Sequence, residues 1–99
     1  MESVRKVYKK FTKDIMDYDK IKGIIVLRNR RQGDRISLAG RGFTSSVKKL
    51  FNANVDALLR ESRVILENQG ELIFLEGFGV SERVKIDENT SRALRIVII

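Results

Sequence analysis

Residues 28–51 read RNRRQGDRISLAGRGFTSSVKKLF. Seven of these side chains are cationic (Arg28, Arg30, Arg31, Arg35, Arg41, Lys48 and Lys49) against a single acid, Asp34. Arg35-Ile36-Ser37-Leu38 alternates polar and apolar, as an edge strand does. In residues 39–46, AGRGFTSS, Gly40 and Gly42 permit backbone conformations closed to other residues and let a ligand approach closely. Thr44 or Ser45 then offers the side-chain acceptor that starts a helix. Val47, Leu50 and Phe51 follow at i, i+3 and i+4, an apolar stripe from which Lys48 and Lys49 point away. The free amides of such a helix start attract anions. A plain glycine turn before a capped helix is the structural alternative. The arginines upstream and lysines downstream favour contact with phosphate. The loop is not a nucleotide-binding P-loop, because the Gly-x4-Gly-Lys-Ser/Thr spacing is absent.

Upstream, residues 23–28 (GIIVLR) form an unbroken apolar run between Gly and Arg, which predicts a strand buried on both faces. Side chains two apart in an extended chain point the same way, so Arg28 and Arg30 should share a face. Residues 12–16 predict a first strand and Asp17-Tyr18-Asp19 a turn. The carboxylates Asp14, Asp17 and Asp19 lack the ordered spacing of a calcium loop, and no metal is expected there. Residues 1–13 are basic, with Val4, Val7, Tyr8 and Phe11 at helical spacing. A segment so short is marginal as a helix by itself, so it is expected to be a linker or frayed arm, with the domain running over residues 14–99.

Downstream, Asn52-Ala53-Asn54 should break the helix. Asp56 should cap a second short helix over residues 57–62, with Val55, Leu58 and Leu59 in the core. Arg60 and Arg63 either extend the basic face or pair with Glu61 and Glu67. Residues 63–67 and 71–75 flank Asn68-Gln69-Gly70 and predict a hairpin with a three-residue loop. Gly77-Phe78-Gly79 marks a bulge or close turn. Residues 80–86 alternate like a strand, with a bend at Glu82. Residues 87–91 form a polar turn, and residues 94–99 a closing strand. Short strands with one clear helix and one shorter one predict an α+β domain: a small, mostly antiparallel sheet or sandwich with helices on one side.

Composition narrows the chemistry. Ninety-nine residues without cysteine or histidine make one domain. Thiolate chemistry and imidazole proton transfer lose their residues. The apolar runs 24–27 and 96–99 are too short to span a bilayer, and a cytoplasmic location with no membrane partner is the expectation. The net charge is +7 and uneven: residues 1–49 carry 14 Lys/Arg against 5 Asp/Glu, and residues 50–99 carry 6 against 8. A charge gathered in one half suggests a polyanionic partner.

The ordered set Arg28-x-Arg30-x-x-Gly33-Asp34-Arg35, Lys48-Lys49-Leu50-Phe51, Arg60 and Gly77-x-Gly79-x-Ser81-x-Arg83 resembles the C-terminal domain of bacterial tRNA(Ile)-lysidine synthetase over residues 14–98. The resemblance implies a parent enzyme that uses ATP, Mg²⁺ and lysine to convert an anticodon cytidine of tRNA(Ile) to lysidine. It also implies a fold shared with a region of the phenylalanyl-tRNA synthetase β chain. The chemistry would belong to an N-terminal domain carrying a Ser-Gly-Gly-x-Asp-Ser loop, which this chain lacks. This domain would hold the tRNA at its acceptor end, with upstream domains of the same chain as its other partners, and would need no cofactor and perform no catalysis. The expected contacts are Arg28, Arg30, Arg35, Arg41, Lys48 and Lys49 on the RNA backbone, Ser45 and Ser46 assisting, and Arg60 beside them. The alternative is a protein-interaction or homodimerisation module, paired through its apolar C-terminal strand, with an incidental basic surface.

Overall fold

The hairpin that carries the sheet is built from β5 (Ile65–Asn68) and β6 (Glu71–Leu75). Asn68 pairs with Glu71, so the loop is the two residues Gln69-Gly70, not three. Both have positive φ, 55° and 80°, the pattern of the tight turn whose twist matches flanking strands. This is a computed structural model, and it describes residues 14–99. The expectations for the arm at residues 1–13, and for a first strand beginning at residue 12, fall outside the described residues.

Around the hairpin lie β1 (Ile15–Asp17), β2 (Ile25–Arg28), β3 (Arg35–Ile36), β4 (Ser45–Ser46), helix α1 (Val47–Asn54), β7 (Gly79–Val80) and β8 (Ala93–Arg95). Strands β2-β5-β6-β7 form one antiparallel sheet in that order, while β1 pairs with β8 and β3 with β4 in two antiparallel ribbons. Short 3₁₀ turns occupy Tyr18–Lys20, Arg60–Ser62 and Glu82–Val84. The architecture is the α+β class expected.

The sheet separates two apolar clusters, and a bulge in β6 assigns residues to them. Leu66 pairs with Phe74 and Glu67 with Leu72, so Ile73 is the extra residue. Leu72 and Leu75 join Ile36, Leu38, Val47, Leu50, Phe51, Val55 and Ile65 under the helix. Ile73 and Phe74 turn to the other side, with Met16, Ala39, Val80 and Val84. Each fully buried Leu, Ile or Phe contributes about 1.5–3 kcal/mol. That scale explains why the Val47/Leu50/Phe51 stripe fixes the helix to the sheet.

One buried polar side chain ties the hairpin to the chain before β2. Asn68 is fully buried, and its amide donates to the carbonyls of Lys22 at 2.6 Å and Ile24 at 3.0 Å. Its Oδ1 accepts from Arg83 at 2.8 Å. Arg83 also donates to the carbonyls of Asn68 at 3.1 Å and Lys20 at 3.3 Å. The Gly77/Gly79/Ser81/Arg83 pattern thus ends in a structural clip.

Several local expectations are corrected. Strand β2 is not buried on both faces. It is the edge of its sheet, with Ile24 79 % and Leu27 69 % exposed; an apolar run does not itself say whether a second neighbour flanks it. Thr44 Oγ1 is bonded to Ser37 Oγ at 2.6 Å. The helix instead starts at Val47 and is capped by Ser46, one residue beyond Ser45, whose own hydroxyl accepts from the Lys49 amide at 3.4 Å in the case of Ser46. It runs through Asn54, whose amide donates to the Leu50 carbonyl at 3.0 Å and so supports the last turn that asparagine was expected to break. Only Val55 of the next segment reaches the core; Leu58 and Leu59 are exposed, and only a 3₁₀ turn forms there. Of residues 80–86 only Val80 lies in a strand, Ser81 makes an isolated bridge to Leu38, and a 3₁₀ turn follows, since Glu82 bends the chain where its amide donates to the Ser37 carbonyl. The closing strand is Ala93–Arg95, and Val97, Ile98 and Ile99 are exposed. The polar turns are as expected. Asp17 accepts from the Asp19 amide at 3.0 Å, and Thr90 N donates to the Asp87 carbonyl at 3.1 Å.

Candidate nucleic-acid interface

The β3–β4 ribbon and the start of α1 bring five of the expected residues together. Arg35 lies opposite Ser46, and Ser46 in turn accepts from the Lys49 amide at 3.4 Å. The alternation in β3 exposes Arg35 while burying Ile36. The loop between the two strands is held at several points. Arg41 N donates to the Leu38 carbonyl at 3.3 Å, and Ala39 N to the Val80 carbonyl at 2.9 Å. Gly40 N donates to Glu82 Oε1 at 3.0 Å. The Lys85 ammonium and then this Gly40 amide hold the Glu82 carboxyl below its ordinary range. Gly40 and Gly42 both have positive φ, 82° and 73°, which an L side chain adopts only with strain.

These elements form a groove of about 590 Å³, lined by Arg35, Arg41, Lys49, Ser45, Ser46, Thr44 and Phe43 together with Leu50, Ala53 and Asn54. It is lined by three cations and no carboxylate. Among the described residues no ion pair engages Arg35, Arg41, Lys48 or Lys49, all of them exposed.

A second hollow of about 380 Å³ takes Arg30, Arg31 and Lys48, together with Asp34 and Glu61. Arg30 is engaged there: Nε donates to Glu61 at 3.1 Å, and its guanidinium lies 5.7 Å from the Phe51 ring centre. A third, of about 330 Å³, holds Arg28, Arg35 and Arg83 beside Asp34 and Glu71. Gly33 and Asp34 border the second and third hollows, and Arg35 the third and the groove. The three therefore meet along residues 33–35.

Two expected residues are placed otherwise. Arg28 and Arg30 line different hollows, which adjoin at Gly33 and Asp34. Arg28 donates to both Asp34 oxygens at 2.9 Å and to Glu67 at 3.0 Å, with its side chain 9 % exposed. The hydrogen bond to Asp34 comes first among the causes that raise its pKa above the ordinary arginine value. Arg28 is a buried clamp, not a free cation. Arg60 Nε donates to the Val55 carbonyl at 2.9 Å and lines neither the groove nor these hollows. Arg63 pairs with Glu76, not with Glu61 or Glu67. The helix start is also less open to an anion than expected, because Val47 N already donates to the Asp34 carbonyl at 3.0 Å.

Sequence reasoning missed Phe43, which is exposed at the groove wall. Its signal was an aromatic residue interleaved with cations and glycines, Gly40-Arg41-Gly42-Phe43-Thr44, a pattern suited to nucleic acid.

Comparison with known proteins bears on this geometry. The family model described as the TilS substrate C-terminal domain matches residues 25–97. The tRNA(Ile)-lysidine synthase of Caldanaerobacter subterraneus subsp. tengcongensis is 37 % identical over 81 residues, 81 % of this chain and 17 % of that protein. The tRNA(Ile)-lysidine synthase of Clostridioides difficile is 42 % identical over 85 residues, again 81 % of this chain and 17 % of its own length. The chain therefore spans about a sixth of the curated relatives it matches. The crystal structure of a TilS C-terminal domain superposes with a TM-score of 0.67 at 24 % identity, covering 81 % of this chain and 64 % of that one. At that identity the likeness speaks for the fold.

Proposed function

The chain belongs to the TilS substrate C-terminal domain family, and from that premise we propose that it binds tRNA(Ile) for a tRNA(Ile)-lysidine synthase whose upstream domains carry out lysidine formation in the cytoplasm. The observation that carries the reading is the groove of Arg35, Arg41 and Lys49, with Ser45 and Ser46 beside them and no acid in its lining. A-form RNA offers phosphates and 2′-hydroxyls rather than a readable major groove, and guanidinium, ammonium and hydroxyl groups suit those targets. Lys48 and Arg30 in the neighbouring hollow extend the cationic track. Arg28 and Arg60 drop out of the proposed contact set, as their donors serve the fold. In this reading the domain holds the tRNA at its acceptor end.

The residues present do not fit ATP or Mg²⁺. Neither a P-loop nor a Ser-Gly-Gly-x-Asp-Ser loop occurs in the sequence, and among the described residues no three acidic side chains are grouped to share a cation. The proposal leaves that chemistry to the rest of the parent protein. No helix among the described residues is long and apolar enough to cross a membrane.

Titration of tRNA against salt tests the reading. Phosphate contacts displace condensed counterions, so about five of them, from Arg30, Arg35, Arg41, Lys48 and Lys49, give a log–log slope of roughly −3.5 to −4.5. Arg41→Ala and Lys49→Ala should each flatten that slope by about one without lowering the melting temperature. A slope near zero for the unaltered chain defeats the proposal. A second reading, self-association, is favoured by the exposed apolar edge of β2.

A further inference from the structure

Phe43 is out of place by the ordinary logic of a core. Phe51, Phe74 and Phe78 all belong to the apolar clusters, whereas Phe43 belongs to none and is 59 % exposed. The loop on either side of it is nevertheless tied down. The next residue, Thr44, is hydrogen-bonded through its hydroxyl to Ser37 at 2.6 Å. Two residues before it, the Arg41 amide is bonded to Leu38 at 3.3 Å. A ring presented to water from a fixed loop loses little further freedom on binding. Its neighbours in the groove are Arg35, Arg41 and Lys49, so its partner should be flat, apolar on one face and joined to negative charge. A nucleobase on a phosphate backbone meets all three conditions, whereas an apolar protein surface does not meet the third.

Within an A-form stem each base is covered on both faces by its neighbours. Only an unpaired base or the last pair of a stem offers a free face. Resting on the tRNA-binding reading above, we propose that Phe43 is a stacking platform for an unpaired nucleobase, with the groove's three cations on the adjoining phosphates. The domain then binds a junction between helix and single strand, such as the end of an acceptor stem, in preference to duplex alone.

The chain contains no tryptophan, so Phe43→Trp installs a sole indole reporter at an exposed position. Two RNAs are compared at low salt: a long blunt stem of two strands, in which all but the end pairs are covered on both faces, and the same stem with a short 3′ single-stranded extension. The extended RNA should quench the Phe43→Trp emission strongly and the blunt one only weakly. Phe43→Ala and Phe43→Leu should bind the extended RNA roughly 5- to 100-fold more weakly, the range for loss of one base–aromatic stack. Their affinity for the blunt stem and their salt slope should not change, and unchanged melting curves confirm that the fold survives. If the unaltered chain binds both RNAs with a steep salt slope and Phe43→Ala binds them equally well, the stacking inference is overturned and the phosphate reading stands. If the unaltered chain binds neither RNA, both fall.

Discussion

Asp34 accepts three hydrogen bonds, two from the Arg28 guanidinium at 2.9 Å and one from the Arg31 amide at 2.7 Å. Burial pushes its carboxyl upward, but the bonds from Arg28 and the Arg31 amide, with the charges behind them, outweigh it and leave the pKa below the ordinary aspartate value. A folded-state pKa below the unfolded one means stability that is fully present above the ordinary carboxylate range. It is lost as pH falls through the lowered value. Asp34→Asn removes the charge and leaves a guanidinium that is 9 % exposed with Glu67 as its one ionic partner. At neutral pH that should cost about 2–3 kcal/mol, the scale of hydrogen bonds to charged groups. Urea midpoints at neutral pH and at a series of falling pH values check this. The gap between the two proteins should be wide at neutral pH and should narrow as pH falls below the ordinary carboxylate range and through the lowered Asp34 value. Equal midpoints at neutral pH remove the clamp from the account. Arg28 also marks the limit of reading single residues from sequence. Its charge is visible in the chain, but Glu67 lies 39 positions away, and that pairing exists only once β2 and β5 are side by side.

The loop in the β5–β6 hairpin is the element whose sequence and geometry can be compared most directly. Gln69 is the one non-glycine among the described residues with positive φ, 55°, followed by Gly70 at 80°. Asparagine tolerates that region better than glutamine, and Asn-Gly is the preferred pair for such a turn. Gln69→Asn should therefore stabilise the domain by up to about 1 kcal/mol. Gly70→Ala should cost about 1 kcal/mol or more, lowering the melting temperature by roughly 4–8 °C. No atom lies within 4 Å of the added methyl, so the loss would be conformational, not steric. Unchanged melting of Gly70→Ala contradicts the turn geometry. Elements with a local signature were legible in this way: the Val47/Leu50/Phe51 stripe, the hairpin strands and the turns at Asp17 and Asp87. Elements defined by distant partners were not. Thr44, Ser45 and Ser46 were equally good caps by local pattern, and only the distant bond from Thr44 to Ser37 and the position of the helix start single out Ser46. The bulge at Ile73 follows from which side of the sheet each cluster occupies, which no local pattern encodes.

At the scale of the whole molecule, the charge imbalance between residues 1–49 and 50–99 singled out one half of the chain, and the groove gathers Arg35, Arg41 and Lys49 from it. What composition left open was how many cations are occupied: Arg28 and Arg60 turn donors to the fold, while Arg30 is held by an exposed bond to Glu61 and a contact with the Phe51 ring. The same molecule also presents an apolar sheet edge, with Val26 and Leu27 exposed on β2 and Ile24 exposed just before it. An exposed, largely apolar edge strand is a template for pairing with another chain. The tRNA-binding and self-association readings respond to salt with opposite sign. Phosphate binding weakens as salt rises, because counterion release loses its advantage. Self-association of a chain with net charge +7 strengthens, because salt screens the repulsion between copies. Sedimentation at several protein concentrations should therefore show mass rising with salt if the β2 edge pairs, and Leu27→Lys should abolish the rise while leaving the tRNA slope intact. Constant mass across concentration and salt, beside a steep tRNA slope, leaves the edge without a second copy and the cationic groove as the working surface.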